Sequence, residues 1–228
     1  MVEAGTAVQN SDSQSRFPVE PKDVLNTQIS DLLGNRFIKK RGETEREREE
    51  TSLTEETTCD HFEGTKYVGL LFSAEWCPPC KLMMRPLKNF YTDANLEKRQ
   101  FEIVFVSNDK KKEDWFDHYK SMPWLSLAYD SPKIKELHAY FGIVGIPALI
   151  ILESKTGFVV QPKGRKDLKD DVKGVFEQWQ KLLDLKRVKA IEVSKEDAIA
   201  ESERLEREFV EKQKKMEAEK AAEQEAAN

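Results

Sequence analysis

The sequence predicts an α/β fold in which a central mixed β-sheet is flanked by helices and a long helical extension follows at the C-terminus. Three observations carry this expectation. Tyr67-Val68-Gly69-Leu70-Leu71-Phe72 and Phe101-Glu102-Ile103-Val104-Phe105-Val106 are compact β-branched and aromatic runs of strand length. The segment between them has the apolar spacing of a helix, so the three together make a β-α-β unit. Beyond Leu185 the chain turns to Glu, Lys, Arg and Ala without Gly or Pro, a composition that favours continuous helix.

Residues 1–28 are rich in Ser, Gln, Asn and Pro with little apolar periodicity, and read as a disordered leader. An ordered domain is expected over 29–184 and a charged helical tail over 185–228. From Ile29 to Ile38 a short apolar stretch precedes the charged run Glu43 to Glu50, and Leu53 to Phe62 leads back towards the core. A helical turn and one or two edge strands separated by a solvated loop fit this pattern. In the helix from Pro78 to Leu96, the residues Leu82, Pro86, Phe90 and Leu96 mark the helical spacing, and Pro86 should kink it. Asn108 or Asp109 can cap a further helix whose apolar side is Trp115, Phe116 and Tyr119, before Met122-Pro123-Trp124 stops it. Another helix follows from about Pro132 to Phe141. Ala148 to Leu152 and Phe158 to Val160 then flank a turn-like segment ending in Gly157, which suits a hairpin. An amphipathic helix from about Asp167 to Leu183 closes the domain.

Charged residues make up 35% of the 228 and hydrophobic ones 39%, too polar a balance for one compact globule of the whole length. The formal charge of −5 sits in the flanks, since residues 61–184 hold 17 acids against 19 bases. No basic patch stands out, which argues against a nucleic-acid binder. No apolar run approaches the ~20 residues of a membrane span, and the N-terminus has neither the basic nor the apolar region of a secretory signal. Three cysteines do not make a stapled secreted scaffold. A cytoplasmic protein is expected.

The feature that carries chemistry is Cys77-Pro78-Pro79-Cys80, placed directly after a buried strand and at the start of a helix. Backbone N–H groups and the helix dipole there put partial positive charge beside Cys77, so its thiol can ionise below the ~8.5 of a free cysteine. Cys80, one turn later, is placed to resolve a mixed disulfide formed at Cys77. The redox couple would be the Cys77–Cys80 disulfide itself, with no other cofactor. A competing reading is half a zinc site, which needs two more Cys or His ligands. Only Cys59, His61, His118 and His138 are available, and the spacing of Cys59 and His61 is irregular. A tryptophan beside two prolines is also unusual in a zinc knuckle, so no metal is expected. Cys59 reads as an inert, partly buried thiol.

Ser73-Ala74-Glu75-Trp76-Cys77-Pro78-Pro79-Cys80 resembles the active-site segment of the thioredoxin superfamily, in its tryparedoxin and nucleoredoxin branch. The likeness extends to Phe101–Ser107, to Met122-Pro123-Trp124-Leu125 and to Phe141-Gly142-Ile143-Val144-Gly145-Ile146-Pro147, and covers roughly residues 30–184. It implies a thioredoxin-like fold and a protein-disulfide reductase. It also implies that the Ile146–Pro147 bond is cis, opposite the disulfide, and an X–Pro bond costs only ~0.5–1 kcal/mol to hold so. By the same resemblance Trp76, Pro78, Trp124, Ile146 and Pro147 would line the partner groove, with a core position as the alternative for Trp124. Many thioredoxins carry a buried aspartate six residues before the first cysteine, where this chain has Leu71. The tryparedoxin branch lacks that acid too, which leaves the proton acceptor for Cys80 open. Glu75 reads as a solvated surface acid.

The implied partners are protein disulfides, peroxiredoxin-type peroxidases among them, and a dithiol or reductase as electron donor. In the tail, Val188, Ile191, Ala198, Leu205, Phe209 and Met216 follow a three-four spacing that Lys195, Ser202 and Lys212 interrupt. Two readings stand: a coiled coil for partner docking or self-association, and a solvated helix steadied by i,i+4 ion pairs. The alternative to an enzyme is accordingly a redox-sensitive adaptor tethered by its C-terminal helix.

Overall fold

The computed structural model describes residues 28–41, 54–169 and 171–226. The expected leader and the charged run Glu43 to Glu50 lie outside the described residues. The chain begins with α1 (Ile29–Leu33), whose first turn is closed by Gln28 N–H donating to Asp31 Oδ2 at 2.9 Å and whose end is turned by Gly34 at φ 75°. The strands β1 (Phe37–Lys40) and β2 (Thr54–Thr57) form an antiparallel pair at one sheet edge. Then come β3 (Tyr67–Ser73), α2 (Pro78–Ala94), β4 (Phe101–Ser107), α3 (Lys112–Tyr119), β5 (Leu125–Ser126), α4 (Lys133–Tyr140), β6 (Ala148–Glu153), β7 (Val159–Gln161) and α5 (Val172–Ala226).

The seven strands form one mixed sheet in the order β2-β1-β5-β4-β3-β6-β7. The β3 and β4 strands are parallel from Tyr67 opposite Phe101 to Ser73 opposite Ser107, while β6 runs antiparallel to β3. Every residue of β3 and β4 is buried, as a central strand covered on both faces requires. Alternation sends Tyr67, Leu71, Ile103 and Phe105 into one core with α2, α3 and α5, and Val68, Leu70, Phe72, Val104 and Val106 into a second with α1 and α4. Gly69 lets the side chains close over the strand: a Cβ there would lie 3.0 Å from the Phe101 ring and 3.2 Å from Leu149, tighter than ordinary contact. The thioredoxin-like fold with a mixed sheet, flanking helices and a long C-terminal helix is therefore present.

Several local expectations need correction. Leu82 and Leu96 are exposed, and the buried stripe of α2 is instead Cys80, Met83, Met84, Leu87, Phe90 and Ala94. Neither Asn108 nor Asp109 caps α3. That helix starts later, with Lys111 at the cap position and no side-chain cap bond, because both candidate side chains are engaged elsewhere. The segment Gly164–Lys169 is a 3-10 turn, and the helix after it begins at Val172.

The α5 helix crosses position 185 without a break. Its inner face, Val175, Trp179 and Leu183, packs into the core beside the sheet, Ala190 further on is also buried, and Trp179 Nε1 donates to the buried Asp167 carboxylate at 2.8 Å. Past Leu185 it still holds the domain: Lys186 Nζ donates to the carbonyls of Val159 and Val160, and Arg187 pairs with Glu153. Further on, Ile199, Leu205 and Val210 are exposed. Among the described residues no helix is long and apolar enough to cross a membrane.

Candidate active site

The site lies at the carboxyl ends of the parallel strands β3 and β4, where open α/β sheets leave a crevice. Cys77 is the cap residue of α2. Pro78 and Pro79 fill the first helical positions, where a missing N–H and a fixed φ cost nothing. In consequence Cys80 provides the first N–H of the helix, and it points at Cys77 Sγ from 3.3 Å. The two cysteines form a disulfide with Cα atoms 5.2 Å apart. Both cysteines are buried, Cys80 at 0% exposure and Cys77 at 4%, so Cys77 is the less enclosed of the two.

Of the residues expected around the pair, Trp76 is 58% exposed and Pro78 also faces solvent. The Ile146–Pro147 bond is cis, and the Ile146 carbonyl oxygen lies 3.9 Å from Cys77 Sγ. Ile146 packs partly buried against both cysteines, while Pro147 is buried and its carbonyl accepts from Arg165 Nη1 at 2.8 Å. Val144, 95% exposed, lies two residues before Ile146. Trp124 is the exception. It is 2% exposed, packed edge-on against Tyr91 at 5.5 Å, and belongs to the core under α2 and α3. Its neighbour Leu125 pairs with Val104, three residues short of the strand end at Ser107, which places Trp124 roughly 10 Å or more below the rim at ~3.3 Å per residue. The groove assignment of Trp124 is thus replaced by the core alternative.

Sequence reasoning missed the residues that hold the active-site loop. Asp109 Oδ1 accepts from the Glu75 backbone N–H at 2.8 Å, and its Oδ2 accepts from Ser107 Oγ at 2.8 Å. The Asn108 N–H donates to the Ser73 carbonyl, its own carbonyl accepts from Trp76 Nε1 at 3.3 Å, and its Oδ1 accepts from His138 Nε2 at 2.8 Å. Two residues after β4 therefore tie down three of the five positions Ser73 to Cys77. The only signal in the sequence was an Asn-Asp pair at the end of a strand, which equally suits a helix cap.

Glu75 is not a free surface acid. Lys81 Nζ pairs with one carboxylate oxygen, and His118 Nδ1 lies 3.1 Å from the other. His118 Nε2 is in turn 2.9 Å from Ser73 Oγ. A carboxylate can only accept, so Nδ1 carries the ring proton and Nε2 of the neutral ring accepts from the Ser73 hydroxyl. Burial holds the His118 pKa below the usual imidazole value, against the opposing pull of Asp109 and Glu75. Burial likewise lowers that of His138. Position 71, buried at 0%, holds a leucine and offers no proton acceptor.

Cys59 is partly buried, its Sγ donating to the Gly34 carbonyl at 3.1 Å, and burial pushes its pKa up to about 11. Among the described residues no three His, Cys, Asp or Glu side chains come together to hold a metal.

The same part of the chain is similar to known proteins. A family model described as thioredoxin-like matches residues 64–159. Nucleoredoxin from Danio rerio is 40% identical over 106 residues, which are 46% of this chain and 25% of that protein. Tryparedoxin from Trypanosoma brucei brucei is 37% identical over 115 residues, 50% of this chain and 79% of that protein. The solved structure of tryparedoxin from Trypanosoma brucei superposes with a TM-score of 0.55 at 31% identity, covering 66% of this chain and 96% of that one. The chain spans about a quarter of the length of the nucleoredoxin it matches.

Proposed function

The chain belongs to the thioredoxin-like family, and on that premise we propose that it reduces protein disulfides through Cys77 and Cys80. In the reduced protein the Cys77 thiolate attacks one sulfur of the substrate disulfide. That S–S bond breaks, the substrate's leaving thiolate takes a proton, and a mixed disulfide joins Cys77 to the other substrate sulfur. Cys80 then loses its proton and attacks Cys77 Sγ, releasing the second substrate thiol and forming the Cys77–Cys80 disulfide. Two electrons and two protons pass to the substrate, and a small dithiol or a reductase returns them. The redox couple is the cysteine pair itself.

The single observation that carries this reading is the asymmetry of the pair. Cys77 keeps a residual 4% exposure at a helix N-terminus with the Cys80 N–H aimed at its sulfur, and Cys80, at 0%, lies wholly buried behind it. Trp76, Pro78 and Ile146 supply a rim against which an extended partner segment can lie, with Pro147 behind it. Peroxiredoxin-type peroxidases are proposed substrates. The proposed redox unit is residues 29–184, and the proposed setting is the cytoplasm, whose reducing poise would keep the dithiol loaded.

The helix beyond the domain favours a second reading, in which residues 185–228 tether the redox unit to a partner or a second copy through exposed Ile199, Leu205 and Val210. Insulin reduction separates the two. The wild type should turn over with a dithiol donor while Cys77→Ser and Cys80→Ser do not, and equal, negligible activity in all three would favour the adaptor.

A further inference from the structure

A carboxylate two residues from a nucleophilic cysteine is a liability, because its charge raises the thiol pKa unless it is neutralised. Glu75 has two neutralising partners of different character. Lys81 is a long side chain, half exposed, and an exposed ion pair of this kind is weak and mobile. His118 is 3% exposed, its ring is set against Phe105 with centroids 5.4 Å apart, and its Nε2 is bonded to Ser73 on β3. The rigid partner therefore decides where the carboxylate sits.

Ser73, His118 and Glu75 stand in the hydrogen-bond order of a hydrolytic triad, yet Ser73 is 0% exposed at the end of a central strand and cannot meet a substrate. The network has to act on the loop above it, which is the loop that carries Cys77. We propose that His118 is a positioning residue for the dithiol: its Nδ1–H bond fixes the Glu75 carboxylate against Lys81, so that this charge is compensated beside Cys77 and opposes ionisation of its thiol less.

The groups facing the ring are Ser73 from β3, Phe105 from β4, Asp109 from the loop after β4, Glu75 from the active-site loop and Lys81 from α2. The largest influence on the ring is burial, which favours the neutral form that donates from Nδ1 alone.

The inference rests on Cys77 as the attacking thiol, and its test needs no substrate. The rate of iodoacetamide alkylation of Cys77, read by mass spectrometry on the reduced full-length chain, is measured against pH. The proteins compared are the wild type, His118→Phe, His118→Gln, Glu75→Gln and the double variant His118→Phe/Glu75→Gln. His118→Phe should raise the midpoint by about half a pH unit, the scale of one partly screened charge within ~10 Å. Adding Glu75→Gln should abolish that rise, and His118→Gln, whose amide can still donate to Glu75, should stay near the wild type.

A His118→Phe profile that coincides with the wild type, or a rise that persists in the double variant, would assign His118 a packing role and overturn the proposal. His118→Asn, too short to reach Glu75, carries the same prediction should the phenylalanine variant not fold. Inactivity towards insulin with a His118-dependent midpoint would reject the reductase and leave this inference standing, whereas an active enzyme with an unmoved midpoint would do the reverse.

Discussion

Asp109 is the residue whose removal should most clearly loosen the site while sparing the core. Asp109→Ala deletes two 2.8 Å hydrogen bonds from one carboxylate, one to the Glu75 N–H and one to Ser107 Oγ. Bonds to a charged acceptor contribute about 1.5–3 kcal/mol when buried. Asp109 is only partly buried and water can replace it, so about 1 kcal/mol each is the appropriate scale, or about 2 kcal/mol in total. For a chain of this size that lowers Tm by roughly 4–8 °C. Asp109→Asn retains an amide oxygen for the Glu75 N–H and loses the acceptor for Ser107, so about half the loss is expected. The assay is thermal unfolding of the oxidised protein followed by circular dichroism, with insulin reduction measured on the same preparations. Turnover should fall further than stability explains, because the loop that orients Trp76 and Cys77 is freed. A melting point for Asp109→Ala within about 1 °C of the wild type, or an Asn variant less stable than the Ala variant, would refute the reasoning.

Further outcomes follow from the same structure. Trp179→Ala should cost about 3–5 kcal/mol in urea unfolding, since it empties the centre of one core and leaves the Asp167 carboxylate buried without its donor. With burial pushing its pKa up to about 11, Cys59 in a Cys77→Ser/Cys80→Ser background should alkylate on the order of 100-fold more slowly at pH 8 than an unperturbed thiol, which a timed mass-spectrometric assay reads. His118 and His138 titrate lower in the fold than in the unfolded chain, so the unfolded state binds more protons just below the ordinary value of 6.5. The stability they contribute is full above that value and is lost as pH falls through it. The urea midpoint should therefore drop between pH 7.5 and 5.5 by more in the wild type than in His118→Gln/His138→Gln. Ending the chain after Leu185 should lower Tm, because the bonds of Lys186 and Arg187 to the sheet and the burial of Ala190 are lost, whereas ending it after Ala200 should not.

The elements that could be read from sequence were those whose cause is local. Runs dense in β-branched and aromatic residues at Tyr67–Phe72 and Phe101–Val106 admit little but buried strands, and the Cys-Pro-Pro-Cys segment carries its own helix start. What failed depended on partners far along the chain. Asn108 and Asp109 have the chemistry of a helix cap, but the Glu75 N–H and His138 compete for the same oxygens, and only the β3–β4 register brings them together. Leu82 and Met83 are both apolar neighbours on one helix, and which of them is buried depends on the helix's rotation against the sheet. Trp124 sits in the Met122–Leu125 segment that carries part of the family resemblance, yet pairing of Leu125 with Val104 sinks it into the core. His118 looked like any helix histidine, because Ser73 and Glu75 lie 45 and 43 residues away.

The most direct test of the central claim is trapping of the mixed disulfide. Reduced Cys80→Ser protein, mixed with an oxidised protein substrate such as insulin, should accumulate a covalent adduct through Cys77 that a dithiol releases, while Cys77→Ser forms none and the wild type turns over. Adducts formed equally well by Cys77→Ser, or turnover that survives the loss of Cys77, would contradict the account.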